Sequence, residues 1–225
     1  MKLRYFSHSA CQITTDSGKT ILIDPFLDEN PTSPVKSKDL KPDYIILTHA
    51  HGDHLGDAMK IAEGSKPLFI CVFELSNYLS AKGYKTHGMS IGGGHNFDFG
   101  RVKFTIAHHG SSAPDGTYCG EPAGVLLFID GKTLYHTGDT ALFYDMKLIG
   151  EMNPVDVMLL PIGDNFTMDV RDAVKAVELT NPKVAIPIHY KTFPLIEADP
   201  REFKRKLEEK GKECRILEFG QEMAV

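Results

Sequence analysis

The residues Thr48-His49-Ala50-His51-Gly52-Asp53-His54 place three histidines and an aspartate within six consecutive positions. Imidazole and carboxylate are natural ligands for zinc and similar divalent ions. From an extended segment, His49 and His51 point the same way. Gly52 lets the backbone turn sharply, so that Asp53 and His54, on the next turn, can face the first pair. One short loop can therefore supply two ligands to each of two neighbouring ions. The plainer alternative is a polar surface loop rich in histidine, but so dense a cluster directly behind the apolar run Tyr44-Ile45-Ile46-Leu47 argues against it.

The same theme recurs at later strand ends. Ile106-Ala107-His108-His109-Gly110 ends one apolar run, Tyr135-His136-Thr137-Gly138-Asp139-Thr140 another, and Ile186-Pro187-Ile188-His189-Tyr190 a third. Each is weak alone, because a lone histidine is more often a hydrogen-bonded core or surface residue. His108 and His109 point to opposite faces if they continue a strand, so only one of them can reach an ion. Metal-bound imidazoles usually donate their other N–H to a carboxylate or carbonyl, a role that suits Asp24, although Asp24 could equally cap a turn before Pro25. His8 is a candidate for lining a pocket or a plain turn residue. Gly163-Asp164-Asn165 follows a buried strand and is a candidate for contacting substrate, or for capping the next helix. His87, His95 and His136 have no evident partners. Gly92-Gly93-Gly94 lacks the lysine and hydroxyl residue of a phosphate-binding loop.

These residues need elements to hold them. Leu3–Phe6, Cys11–Thr15 and Thr20–Asp24 read as short strands, the first turn falling at Asp16–Lys19. Asp28–Pro42 reads as a surface loop, Asp43–Thr48 and Pro67–Val72 as buried strands, and Gly56 to about Glu63 and Glu74–Lys82 as helices. Asn96–His108 alternates and predicts a strand or a hairpin around Asp98-Phe99-Gly100. Gly110–Pro122 is irregular, and Asp130-Gly131 joins Ala123–Asp130 to Lys132–His136 in a hairpin. Beyond it come helix Ala141–Met152, strand Val155–Pro161, helix Met168–Thr180, strand Val184–His189, helix Pro200–Lys210 and strand Glu213–Phe219. Hairpins in the first half and strand–helix alternation in the second fit two sheets with helices outside, in one domain spanning residues 1–225.

Composition bounds the function. The chain has 225 residues, ten histidines and a formal net charge of −5, which disfavours an obligate nucleic-acid binder. The basic residues of Pro200–Lys210 are diluted by glutamates and read as a solvated helix face. The four cysteines are scattered, with no C-x-x-C pair. No apolar run approaches the ~20 residues of a membrane span, and the N-terminal residues show no apolar leader. A cytoplasmic protein with reduced thiols is expected.

The set His49, His51, Asp53, His54 with His109, Asp139 and His189 resembles the metallo-β-lactamase superfamily, whose H-x-H-x-D-H signature stands here at residues 49–54. Within it, Ile23-Asp24-Pro25-Phe26, Tyr135–Thr140, Leu160–Met168 and Pro187–Tyr190 are similar to compact metal-dependent hydrolases related to bacterial L-ascorbate-6-phosphate lactonase. The resemblance implies an α+β fold, the four-layer αββα sandwich, with the site at one edge between two mixed sheets. It implies that His49, His51 and His109 hold one divalent ion and Asp53, His54 and His189 a second, with Asp139 bridging. The ions would be zinc, or alternatively manganese. It favours His109 over His108 as ligand, leaving His108 to a supporting or surface role.

Two such ions can hold a hydroxide between them, with the pKa of the water lowered toward ~7, for attack on an ester, lactone or phosphodiester of a small metabolite, anions being among the candidates. Asp53 is the candidate to orient that nucleophile and accept its proton, or else a ligand only. A homo-oligomer is compatible with this reading. The alternatives are a nuclease of the same superfamily, a di-iron redox protein, for which this length leaves no flavin domain, and a non-catalytic metal-binding module.

Overall fold

Val157–Pro161 and Val184–Ile188 are buried at every position, and strands apolar on both faces must be covered on both. A computed structural model describing residues 1–225 shows how. One seven-stranded mixed sheet contains β1 (Lys2–Ser7), β2 (Ala10–Thr14), β3 (Thr20–Ile23), β4 (Tyr44–Ile46), β5 (Leu68–Val72), β6 (Thr86–Met89) and, at its far edge beside β1, β14 (Glu222–Ala224). The second contains β7 (Gly94–Phe97), β8 (Gly100–Ile106), β9 (Ala123–Ile129), β10 (Lys132–His136), β11 (Val157–Pro161), β12 (Val184–Ile188) and β13 (Glu213–Cys214), ordered side by side.

Side-chain alternation sorts the second sheet's residues into two cores. Val125, Leu127, Leu134, Val157, Leu159, Val184 and Ile186 join the large core shared with the first sheet. Leu126, Tyr135, Met158, Leu160 and Ala185 face the other way. There they meet α5 (Val170–Thr180) and α6 (Pro200–Glu208), which bury Ala173, Val177, Phe203 and Leu207. The first sheet carries α2 (Ala58–Ser65) and α3 (Phe73–Ala81). This is the four-layer α+β sandwich that the resemblance implied. Asp169 caps α5 by accepting from Asp172 N at 2.7 Å, and Asp199 caps α6 with Pro200 in its first turn. The basic residues of α6 pair with its own glutamates, Lys204 with Glu208, Arg205 with Glu209 and Lys206 with Glu202, as a solvated face does.

Several boundaries differ from the sequence reading. The helix expected from Gly56 to about Glu63 is α2, starting at Ala58, and a separate single turn, α1 (Gly52–Leu55), precedes it. The helix expected from Ala141 starts only at Met146, as α4 (Met146–Met152), with Asp145 as its N-cap residue. The last strand is the two-residue β13, after which the chain crosses to the first sheet as β14. β6 has no clear alternation and was not expected.

Strand direction explains the site's location. β8 and β10 are both antiparallel to β9, and β10, β11 and β12 are parallel. β1 and β3 are both antiparallel to β2, and β4 runs parallel to β3. The C-terminal ends of β8, β10 and β12 therefore lie on one edge of their sheet, and those of β1, β3 and β4 on one edge of theirs. All the polar strand ends picked out in the sequence are at these edges.

The turn between α1 and α2 depends on Gly56, which has φ of 44° and ψ of −127°. A Cβ there would lie 2.5 Å from Pro25 O and 2.8 Å from Phe26 Cα. Gly56→Ala is expected to cost about 2 kcal/mol or more from strain and collision, read in a thermal melt as a Tm lower by roughly 4–8 °C. An unchanged Tm would show that α1 is not fixed by this turn.

Candidate metal centre

The first sheet contributes His8 just after β1, Asp24 just after β3, His49 and His51 in the extended exit of β4, and Asp53 and His54 on α1. The second contributes His109 beyond β8, Asp139 beyond β10 and His189 directly after β12. His8, Asp24 and His189 have left-handed φ values of 55°, 44° and 55°. Non-glycine residues held this way cost of order 1 kcal/mol each, and such strain clusters at functional sites. His8, Asp24, His49, His54, Asp139 and His189 are buried, while His51, Asp53 and His109 reach the surface.

Besides Asp24 with His49 and His54, two groups of ligand atoms form, His49 with His51 and His109, and His8 with Asp53, His54 and His189, each within 4.8 Å internally. Asp139 stands between them: its Oδ2 lies 3.0 Å from His189 Nε2, 3.3 Å from His54 Nε2 and 3.6 Å from His109 Nε2. Asp53 Oδ2 lies 3.8 Å from His189 Nε2 and 3.1 Å from His8 Nε2.

The surrounding hydrogen bonds fix which nitrogens face inward. Thr48 N donates to Asp24 Oδ1 at 2.8 Å, and Thr48 Oγ1 to Asp24 Oδ2 at 2.6 Å. With its proton committed, Thr48 Oγ1 accepts from His49 Nδ1 at 3.0 Å, which leaves His49 Nε2 as a lone pair. That atom sits 3.0 Å from His51 Nδ1. His54 Nδ1 donates to Asp24 Oδ2 at 2.8 Å and turns Nε2 toward Asp139. Asp24 thus supports His54 directly and His49 through Thr48. His8 Nε2 donates to Asp53, and Nδ1 takes Thr192 Oγ1 at 2.9 Å.

The electrostatics follow from burial and charge. Burial, helped by the neighbouring His54, holds His49 well below the usual imidazole value. Burial and the charge of His189 push His8 down to about 4 despite Asp53. Burial disfavours the His54 and His189 cations too, but carboxylates outweigh it. Asp139 and Asp24 raise His54 well above its ordinary value, and Asp139 with Asp53 raises His189 to about 9. Burial likewise opposes ionisation of Asp139, yet His189 and His54 hold it well below the carboxylate range.

A divalent cation fits this donor set. His54 Nε2, Asp139 Oδ1 and both ring nitrogens of His189 are buried without a hydrogen bond. Each such group costs about 1–3 kcal/mol unless something satisfies it, and the inward ones converge from both sheets, offering lone pairs once His54 and His189 give up their protons.

Other expectations fare differently. The ring of His108 is exposed and packs on Phe143 with centroids 5.1 Å apart, away from the cluster. The strand ends at Ile106, and the His108 side chain falls at the surface. Gly163 packs on the site, since a Cβ would lie 2.3 Å from His189 O. Asp164 and Asn165 are exposed in a left-handed turn and do not line the cavity over the histidines; Phe166 does. His136, unassigned in the sequence, is buried: Nε2 donates to Ser9 O and Nδ1 accepts from Gly138 N, both at 3.1 Å. It ties the turn before Asp139 to the turn after His8. No spacing signal could reveal this. The rings of His87 on β6 and His95 on β7 lie against each other, tilted by 40°, with centroids 4.3 Å apart.

A cavity of about 430 Å³ opens over His51, Asp53, His109, Asp139 and His189. A larger surface groove of about 1090 Å³, between α4 and α5, contains none of these residues.

A family model described as a beta-lactamase superfamily domain matches residues 19–190, and the chain belongs to that family. A Bacillus cereus protein named UPF0173 metal-dependent hydrolase is 52% identical over the full length of both chains. The solved structure of Igni18, described as a novel metallo hydrolase from the archaeon Ignicoccus hospitalis, is 41% identical. It covers 99% of this chain and 97% of its own with a TM-score of 0.90. An isothiocyanate hydrolase from Delia radicum gut bacteria shares the fold, with a TM-score of 0.82 at 23% identity, covering 100% of this chain and 99% of its own. The protein is a metal-dependent hydrolase of the metallo-β-lactamase fold. No helix is long and apolar enough to cross a membrane.

Two outcomes follow. Asp24→Asn removes an acceptor that orients His54 and is expected to weaken metal affinity roughly 10–100-fold, measured by chelator competition; unchanged affinity would remove Asp24 from the site. The second concerns pH. His189, raised to about 9 by Asp139 and Asp53, stabilises the metal-free fold fully below its ordinary value of 6.5 and loses that contribution as pH rises to about 9. Metal binding needs the deprotonated ring, so affinity should rise over the same interval, with proton release at pH 7. Calorimetry in buffers of different ionisation enthalpy reads this release; none would contradict the assignment.

Proposed function

We propose that the protein uses a pair of divalent ions, zinc or manganese, to hydrolyse an ester, lactone or phosphodiester bond of a small cytoplasmic metabolite. The observation that carries the reading is Asp139, buried within 3.6 Å of imidazoles that belong to both ligand groups. His49, His51 and His109 would hold one ion, and Asp53, His54 and His189 the other, with Asp139 shared. When bound, such ions activate water at neutral pH and polarise the bond under attack.

The chain's own residues do the rest. Asp24 and Thr48 engage the outward Nδ1 of His54 and His49, so that Nε2 of each faces inward; the inward proton of His54 would leave when an ion binds. His8, neutral and buried, donates to Asp53 Oδ2 and fixes that carboxylate's rotation. Asp53 is part exposed at the cavity floor. It is the group placed to orient water and take its proton. In hydrolysis the water oxygen bonds to the electrophilic centre, the bond to the leaving oxygen breaks, and the proton passes to the leaving group. A cavity of about 430 Å³ suits a small molecule.

Protein purified without added metal is expected to carry close to two zinc or manganese ions per chain by elemental analysis. His49→Ala and Asp139→Ala should lower that content and reduce hydrolysis at least roughly 100-fold, since the constellation acts as a unit. Wild-type content of one ion or none, or unimpaired hydrolysis in both variants, would refute the two-ion reading.

A further inference from the structure

The floor of the cavity is polar, but its walls are not. Phe166, Phe193 and Leu195 complete the lining, and the eight lining residues include no lysine or arginine. Phe166 is 50% exposed and Leu195 63% exposed. Large apolar side chains grouped at the mouth of a polar cavity mark a contact surface.

These walls are built rather than loose. Phe166 sits on a turn in which Asp164 and Asn165 take left-handed φ values of 62° and 44°. That turn is closed by Thr167 N donating to Asp164 O and Asp164 N to Met168 O, both at 3.0 Å. Phe193 and Leu195 sit on a second turn, closed by Lys191 N donating to Ile196 O at 2.6 Å and Ile196 N to Phe193 O at 3.0 Å. The Phe193 ring rests against His8 and Phe26, with centroids 5.4 and 6.1 Å away. This second turn begins directly after His189, so one segment places both a floor imidazole and the apolar wall.

An anionic group at this mouth, above the floor imidazoles, would find no lysine or arginine and would lose water against phenyl and isobutyl groups. A neutral group with an apolar arm would instead remove Phe166, Phe193 and Leu195 from water. We propose that the cavity takes a neutral ester or lactone bearing an aliphatic or aromatic arm, which lies against Phe166, Phe193 and Leu195 while its carbonyl lies over the histidines. This narrows the hydrolytic reading above and rests on it. It sets aside the anionic substrate that the sequence left open.

Binding and turnover test the two claims separately. Titration calorimetry of the zinc-loaded protein with alkyl hydroxamates, from acetohydroxamate to octanohydroxamate, should show affinity rising about two- to threefold per added methylene, somewhat less than full burial allows. Phe166→Ala and Leu195→Ala should each flatten that rise while circular dichroism and zinc content stay as in the wild type. Turnover of para-nitrophenyl esters should follow the same order in kcat/KM and exceed that of bis(para-nitrophenyl) phosphate. A flat or absent chain-length dependence would overturn the proposal, as would tighter binding of a succinyl hydroxamate than of its neutral counterpart of equal length. Chain-length-dependent binding without turnover of any ester, lactone or phosphodiester would uphold the apolar subsite and refute the hydrolytic reading instead.

Discussion

The Asp139 carboxylate is the contact on which the rest of the site depends. It sits buried where the two sheets come together, with His54 arriving from the first sheet and His109 and His189 from the second. A carboxylate and several imidazoles so deep in the protein are unfavourable unless their charges and lone pairs are matched. The second sheet reaches this point because β8, β10 and β12 run the same way, and the first because β1, β3 and β4 do. The sandwich thus brings to one edge residues nearly the whole chain apart, from His8 to His189.

Around that point the supporting contacts have a common purpose. Asp24 sets the orientation of two imidazoles, His54 directly and His49 through Thr48. His8 sets Asp53, and His136 ties the turns that carry His8 and Asp139. None of these residues needs to touch an ion to matter, because a ring turned by a few tens of degrees no longer points its lone pair inward. The left-handed conformations of His8, Asp24 and His189 lie at the same edge, each where the chain must leave its strand abruptly to deliver a side chain.

Much of this was legible in the amino-acid order. The apolar runs that became β4, β9, β11 and β12 are short and uninterrupted, and the polar residues at their ends stand out because buried strands tolerate few such groups. The hairpin at Asp130-Gly131 follows from glycine's freedom at a positive φ. What was not legible depends on long-range pairing or on single backbone angles. β14 is three residues without a pattern and is a strand only because β1 offers an open edge. α1 is a one-turn helix fixed by Gly56 against Pro25. His136 looked incidental because its partners, Ser9 and Gly138, are joined to it only by the fold. Asp164 and Asn165 looked like substrate contacts by position, yet their turn presents the neighbouring Phe166.

The central claim is that two ions share Asp139. Crystals of metal-loaded protein, with anomalous difference maps collected across the zinc and manganese edges, test it most directly. The account predicts one peak among His49, His51 and His109 and a second among Asp53, His54 and His189, with Asp139 touching both. A single peak, or a pair of peaks that leaves Asp139 uncoordinated, would contradict it.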